Sequence, residues 1–256
     1  MFKKINSKIH KIREINSIAI DTNFNPSILN SFYIIRRGIL KGIHENKHFL
    51  SGRLLDFGCG SKPYKPIFYN VREYIGLDYY NEGHSHENED IDLFYDGKNI
   101  PFANGSFDSI LSTEVFEHVF NLDELLTELN RVLKPEGFML ITCPFVYPEH
   151  ETPFDYARYT QFALRHLLEK NGFDVVVADK KGNVIETICQ QLVIYSSAYL
   201  KLFGPLKRSK LFIKLFNGAN ALFFNLFAKT VGKLLPSTYH LYSTNIIVAK
   251  KVKSLV

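Results

Sequence analysis

The run Leu54-Leu-Asp-Phe-Gly-Cys-Gly60 constrains this chain more than any other part of it. An apolar strand that runs straight into two glycines must turn sharply, and without Cβ atoms that turn can lie against a ligand. Acids then stand at the ends of the next two strands. Residues 74–78 (Tyr-Ile-Gly-Leu-Asp) close on Asp78, and residues 91–95 (Ile-Asp-Leu-Phe-Tyr) are followed by Asp96. In an open α/β sheet, ligands sit beyond the carboxyl ends of the strands. A glycine turn with carboxylates at matching ends therefore marks one edge of a sheet as a binding site.

The remaining pattern supports such a sheet. Residues 107–113, 138–143 and 173–178 read as further strands, and 239–251 as a last one. Between them, 122–134 places Leu122, Leu125, Leu126, Leu129, Val132 and Leu133 on one helical stripe, stopped by Lys134-Pro-Glu-Gly137. Residues 160–171 read as a helix with Thr160 as N-cap and Gly172 as stop. Strand and helix in alternation predict a mostly parallel sheet covered on both faces. Residues 1–50 read as a helical extension, with Asn25-Pro-Ser27 opening a helix that carries Ile28, Leu29, Phe32, Ile35, Ile39 and Leu40. The expected organisation is an extension over 1–50 and a domain over 51–256, with a helical insertion at about 183–236 before the last strand.

Charge is distributed unevenly along the 256 residues. The net +5 comes from +6 over residues 1–50, +6 over 183–236 and −7 over the rest. The basic segments are rich in Phe, Leu and Ile, which suits a membrane surface or a lipid at least as well as nucleic acid. Residues 206–233 carry Leu211, Phe212, Leu215, Phe216, Leu222, Phe223, Phe224, Leu226 and Phe227 with only basic charges, and read as amphipathic helices. The longest uncharged stretches, 187–200 and 215–228, have 14 residues each, short of the ~18 expected of a spanning helix. The basic N-terminus lacks the apolar run of a secretory signal. Three cysteines, none in a CxxC pair, make neither a disulfide framework nor a zinc site. A cytoplasmic location is the expectation, with no resident metal; residues 183–236 read either as a helical lid or dimer interface with ordinary core packing, or as a contact with a membrane or a lipid-linked substrate.

Pro63 stands where a dinucleotide G-x-G-x-x-G needs its third glycine, which counts against NAD and FAD, and no P-loop motif is present. Instead the chain resembles the class I S-adenosylmethionine-dependent methyltransferases, in the small-molecule branch described as type 11. Leu54–Gly60 looks like the first motif of that family. Asp96-Gly-Lys-Asn-Ile-Pro-Phe and Ser106-Phe-Asp-Ser-Ile110 are similar to its central signature. Glu114-Val-Phe-Glu-His-Val119 and Arg131-Val-Leu-Lys-Pro-Glu-Gly137 match later motifs, with Glu136 in place of the usual glycine. The resemblance covers 52–178 and implies a Rossmann-like seven-stranded sheet whose last strand is antiparallel. It also implies S-adenosylmethionine as cofactor: Asp56, Gly58 and Gly60 at its methionine end, Asp78 on the ribose hydroxyls, Asp96 with Gly97 at the adenine, and Glu114 near the methionine moiety and the acceptor pocket. A cofactor with a sulfonium and an ammonium suits an acidic site.

The loop 144–160 gathers Glu149, His150, Glu151, Asp155, Arg158 and Tyr159 among three prolines. It is similar to a segment common among methyltransferases of polysaccharide and cell-surface glycan pathways. O-methylation of a small-molecule or glycan acceptor, including a lipid-linked sugar, is the expected reaction. His150 is the candidate base, Asp155 its orienting partner, and Arg158 a holder of an anionic group. The rival reading of the loop is a solvated turn in which Asp155 and Arg158 pair with each other. Glu117-His118 reads either as a base or as a structural pair. A cofactor-binding but inactive scaffold is the alternative function. A nucleic-acid methyltransferase is disfavoured, because Thr113-Glu-Val-Phe116 replaces a base-flipping motif.

Overall fold

A computed structural model describes residues 19–80, 89–199 and 209–255. The chain divides into two compact units, one made of Gly42–Asp179 with Asn245–Val256, the other of residues up to Lys41 with Lys180–Thr244. A helix, α1 (Tyr33–Asn46), precedes the first strand.

The first of these units carries the sheet. Its strands are β1 (Arg53–Phe57), β2 (Glu73–Tyr79), β3 (Leu93–Tyr95), β4 (Phe107–Thr113), β5 (Leu133–Pro144), β6 (Phe173–Lys181) and β7 (Thr244–Lys251). The order is β3-β2-β1-β4-β5-β7-β6. The pairs β1·β2, β1·β4, β2·β3 and β4·β5 are parallel. At the other end, Val252 N–H donates to Gly172 O and Ser243 N–H to Lys181 O, so the end of β7 meets the start of β6 and the direction is antiparallel. This is the Rossmann-like sheet with an antiparallel last strand that the resemblance implies. The chain order reverses between β1 and β4, and that switch point is where such sheets open a crevice.

The helices form where the apolar spacing places them. α2 (Leu122–Val132) buries Leu122, Leu125, Leu126 and Leu129 on one face. They join Leu55, Phe57, Phe107, Ile110, Met139 and Ile141 of the sheet in one apolar cluster. Each such side chain contributes about 1.5–3 kcal/mol by leaving water. α3 (Gln161–Lys170) begins where Thr160 Oγ1 accepts from Ala163 N, and stops before Gly172 at φ +79°.

Several boundaries differ from the sequence pattern: the helix expected to open at Asn25-Pro-Ser27 begins at Tyr33, and the last strand, expected over 239–251, begins at Thr244. The α2 stripe ends at Val132, and Leu133 already opens β5, so Lys134–Gly137 lies inside a strand. Glu136, in the place of the family's glycine, takes φ +65°, a conformation that glycine adopts without strain, and its carboxylate pairs with Lys250. Propensity reads the Lys-Pro-Glu-Gly run as a stop, and it stays an irregularity within β5: the register with β4 jumps from Phe107↔Leu133 to Ser109↔Phe138, and the four residues between are not paired with β4.

The second unit contains α4 (Val184–Tyr199) and α5 (Lys210–Lys229). Ile34, Cys189 and Ala228 form a small core there, with Tyr33, Ile185 and Phe224 against it. α5 is inverted relative to a soluble helix: its buried face is Ala221, Asn225 and Ala228, while Leu211, Leu215, Phe223 and Leu226 face outward. Asn225 Nδ2 is satisfied by the carbonyls of Ile28 and Asn30. The continuous helical stretch Lys210–Lys233 is, among the described residues, long and apolar enough to cross a membrane by length and composition. The 14-residue count stopped at the flanking lysines, whose long stems extend an apolar span.

Lys251 ties β7 to the α2–β5 junction. Its buried ammonium donates to the carbonyls of Asn130 (2.6 Å) and Leu133 (2.8 Å). Lys251→Met leaves both carbonyls unsatisfied, and we expect a loss of about 1–3 kcal/mol, read as a lower urea midpoint with an unchanged slope.

Candidate active site

Every residue named from the sequence as a site candidate lies at the carboxyl edge of the sheet or in a loop after it, all within Gly42–Asp179. At the end of β1, Gly58 takes φ +71° and Gly60 φ +46°. The turn is fastened to β2: Gly58 N–H donates to Leu77 O at 2.8 Å and Gly60 N–H to Asp78 Oδ2 at 2.7 Å. A Cβ at Gly58 would lie 2.2 Å from Val115 Cγ2, so this glycine is required by both conformation and space. Asp56, immediately before the turn, is 2% exposed. Its Oδ2 accepts from Tyr74 Oη at 2.6 Å, and its Oδ1 has no hydrogen-bond partner. Burial pushes the Asp56 carboxyl up to about 7; the Tyr74 hydrogen bond opposes the rise and the Asp78 charge adds to it.

Further along the edge, Asp96 forms a turn, with Oδ1 accepting from the N–H groups of Lys98 and Asn99. Gly97 at φ +81° lets the Tyr79 ring approach, since a Cβ there would sit 3.0 Å from that ring. Glu114, just past β4, holds φ +56°, and its Oε1 accepts from Thr142 Oγ1 at 2.7 Å.

The loop after β5 folds back onto the short turn Phe116–His118. Tyr156 N–H and Ala157 N–H both donate to Glu117 O. Asn245 Nδ2 holds the loop's two ends through Cys143 O (3.3 Å) and Tyr159 O (2.9 Å). Arg158 grips both oxygens of Asp155 at 2.6 Å, and its remaining donors go to the carbonyls of Tyr147, Pro148 and Ala157. All five guanidinium N–H groups are thereby engaged. The expected role of holding an anionic acceptor finds no free donor, and Arg158 is a positioning residue for the loop. Asp155 also accepts from His150 N (2.9 Å) and stands 3.2 Å from His150 Nδ1. Burial would raise its carboxyl, but the Arg158 and His150 hydrogen bonds outweigh that and hold it at about 2. Burial and the neighbouring His118 lower the His150 imidazole below its ordinary value.

Three contributors escaped the sequence, and a fourth, His118, was legible there only as part of the Glu117-His118 pair. Tyr74 and Thr142 looked like ordinary strand residues. Lys62, side chain buried, reaches Asp92 at 2.8 Å and crosses the face of Gly76, where a Cβ would strike Lys62 Cε at 2.3 Å. His118 stands with its Nε2 3.1 Å from His150 Nε2. Only the Glu-His dipeptide at 117–118 signalled any of them.

Together these elements define the class: a Rossmann-like domain whose switch-point edge is acidic and glycine-lined. Comparison with known proteins agrees. Residues 32–178 match the family model described as a methyltransferase domain. The chain belongs to this family, in its class I, S-adenosylmethionine-dependent form. It is 29% identical over 140 residues to a protein of Mycolicibacterium smegmatis provisionally named an S-adenosylmethionine-dependent methyltransferase, covering 50% of this chain and 54% of that one. It is 25% identical over 173 residues to a fatty-acid O-methyltransferase of the same organism, covering 61% of each. The matched part thus spans little more than half the length of these curated relatives. A crystal structure from Galdieria sulphuraria, provisionally assigned as a sarcosine dimethylglycine methyltransferase, superposes with a TM-score of 0.50. That match covers 84% of this chain and 85% of that one at 16% identity, which is a likeness of fold.

The residues present fit S-adenosylmethionine. Asp56 Oδ1, buried and without a hydrogen-bond partner, suits a cationic amino group, and the positive-φ glycines leave the adjoining backbone open to close approach. A measurable consequence concerns the ligand-free protein. Because the Asp56 carboxyl is raised in the fold, its contribution to stability is present below its unfolded value and is lost as pH rises toward and through about 7. Asp56→Asn removes that loss. We expect the variant to be more stable than the parent at pH 8, by at most about 4 kcal/mol, with the difference shrinking toward pH 4 in thermal melts.

Proposed function

We propose that the protein transfers a methyl group from S-adenosylmethionine to a hydroxyl oxygen of a small-molecule or glycan acceptor, with a sugar on a lipid carrier as the preferred form. When bound, the cofactor supplies an electrophilic methyl on a sulfonium, open to in-line displacement. The chain's own task is alignment and proton handling. Asp56 meets the amino group, the Gly58–Gly60 turn lies along the methionine end, Asp78 receives the ribose hydroxyls, and Asp96 with Gly97 borders the adenine. Glu114 stands between the two halves of the site.

The observation that carries the reading of the acceptor is charge. Glu114 and Glu151 stand on the acceptor side beside the buried Glu117, and the cation next to them, Arg158, is spent on Asp155 and the loop itself, so their charge is not offset. Such a surface repels a carboxylate or phosphate at the reacting atom and accepts a neutral hydroxyl. The likeness to a fatty-acid O-methyltransferase supports an oxygen nucleophile and an apolar acceptor tail, while this charge argues against a carboxylate as the methylated group. In this reading His150, oriented by Asp155, offers its Nε2 lone pair to the hydroxyl proton.

The lipid carrier is supported by α5. Its outward Leu211, Leu215 and Phe223 are each more than 60% exposed. Lysines 210, 214, 229 and 233 flank them, and no Asp or Glu follows Glu186 in the sequence. Apolar side chains ringed by lysines suit an anionic bilayer surface. We assign the protein to the cytoplasmic side of such a membrane, working on a membrane-held acceptor.

Calorimetric titration tests the cofactor: S-adenosylmethionine and S-adenosylhomocysteine bind at micromolar concentration, NAD does not, and Asp78→Ala abolishes binding. Failure of the parent protein to bind would count against both the transferase reading and the cofactor-binding scaffold; binding without turnover would leave the scaffold. For the surface, full-length protein co-sediments with vesicles containing anionic lipid, and the triple variant Leu215→Ser, Phe223→Ser, Leu226→Ser stays in the supernatant. Equal sedimentation of both would remove the membrane assignment.

A further inference from the structure

The hydrogen bonds around His118 and His150 leave an electrostatic conflict. His118 Nδ1 faces the carbonyl of Phe154 at 2.8 Å, an acceptor only, so this nitrogen carries its proton. His150 Nδ1 faces the Asp155 carboxylate, also an acceptor, so it too is protonated. In each neutral ring the Nε2 is therefore a bare lone pair, and the two Nε2 atoms stand 3.1 Å apart. Beside them is Glu117 Oε1, on a fully buried side chain, without a hydrogen-bond partner and 3.8 Å from His118 Nε2. With both rings neutral and Glu117 ionised, three electron-rich atoms converge with no donor among them, an arrangement that a shared proton or a cation relieves.

We propose that Glu117, His118 and His150 bind one divalent transition-metal ion, zinc foremost, through Glu117 Oε1, His118 Nε2 and His150 Nε2. The ligand atoms all lie within 4.8 Å of one another. Two imidazole nitrogens at 2.0–2.1 Å on a tetrahedral ion stand about 3.3 Å apart, so the observed pair needs only a small adjustment to close on a cation. Two histidines and a carboxylate form a ligand set favoured by zinc and its neighbours over magnesium or calcium. The outer contacts are those of built metal sites: one histidine is held by a carboxylate, the other by a backbone carbonyl, which fixes tautomer and ring orientation. Asp155, clamped by Arg158, becomes the positioning residue of His150. The fourth position is open to Glu151, whose Oε2 is 3.9 Å from His118 Nε2, to water, or to an acceptor oxygen.

This inference goes beyond the methyl-transfer reading and stands without it. It also gives the His150 lone pair a use exclusive with proton uptake, since a coordinated Nε2 takes no proton. With the ion in place, an acceptor hydroxyl would be polarised by the cation rather than by the imidazole.

The test is calorimetric titration of Zn²⁺ into the full-length, chelator-stripped protein in the absence of S-adenosylmethionine, with Co²⁺ absorption as an independent readout of geometry. We expect one equivalent to bind at micromolar concentration or tighter. His118→Asn and His150→Asn weaken it by at least about 100-fold, Asp155→Asn by about 10–100-fold, and Asp78→Ala leaves it unchanged. Glu117→Gln alters a fully buried position, so the two partly exposed histidines carry the decision, with a retained thermal transition showing that each variant is folded. Absence of stoichiometric binding, or binding unaffected by both histidine variants, overturns the proposal. The second result would place the ion elsewhere. Loss of S-adenosylmethionine binding in the parent would count against the methyl-transfer reading and leave the metal result untouched.

Discussion

Buried negative charge without matching positive charge is the constraint on which the rest of the site depends. Asp56 and Glu117 are both almost wholly removed from water, and among the described residues neither has a lysine or arginine ion-pair partner. A buried carboxylate in that position costs the fold several kcal/mol or gives up its charge. Both carboxyls are accordingly pushed upward, Asp56 by burial against Tyr74's hydrogen bond, and Glu117 by burial and the charge of Glu114. The two lie in the two halves of one edge. One half suits a ligand that brings its own cationic groups. The other is electron-rich in a way that a hydroxyl, a proton or a metal ion relieves and an anion aggravates.

The fold sustains this strain by locking the surrounding backbone. The glycine turn is fastened to β2 at Leu77 and Asp78. Lys62 spans Gly76 to reach Asp92, and Gly76 N–H itself donates to that carboxylate at 2.7 Å. On the other side, the loop after β5 is tied at both ends by Asn245 and along its length by Arg158. Polar side chains that look available for substrate are in large part the fastenings of the loop that carries His150. A site preorganised in this way meets its ligands with little further ordering, which is where alignment-based catalysis draws its advantage.

The inverted helix α5 shows a separate rule. Its small and amide residues turn inward, where Asn225 Nδ2 donates to two backbone carbonyls, and Leu211, Leu215, Phe223 and Leu226 turn outward. In the sequence this helix is simply apolar and basic, and the outward half of its Leu and Phe residues is indistinguishable from a core-facing stripe. Packing decided which face was covered: Ala221 and Ala228 allow close approach where a Leu would not.

Much was legible beforehand. The strand ends at Phe57 and Thr113, the leucine stripe of α2, the Thr160 cap and the Gly172 stop depend on local periodicity and backbone conformation, which sequence reports directly. So did the glycine turn, because only glycine takes φ +71° against Val115 without clash. The start of β5 at Leu133 was not legible, since β4 pairs with Leu133 and again with Phe138 on either side of the irregular Lys134–Gly137 run. Nor was the spending of Arg158 on its own loop, the bond from Tyr74 to Asp56, or the meeting of His118 with His150. Each joins residues 3 to 32 positions apart through side-chain geometry, and geometry of that kind exists only once the sheet has set the distances between its loops. By itself the sequence determined that this chain builds an acidic, glycine-lined edge on an α/β sheet. The tertiary structure decided which of those acids would be buried without a partner, because burial belongs to neighbours that the chain brings together only by folding.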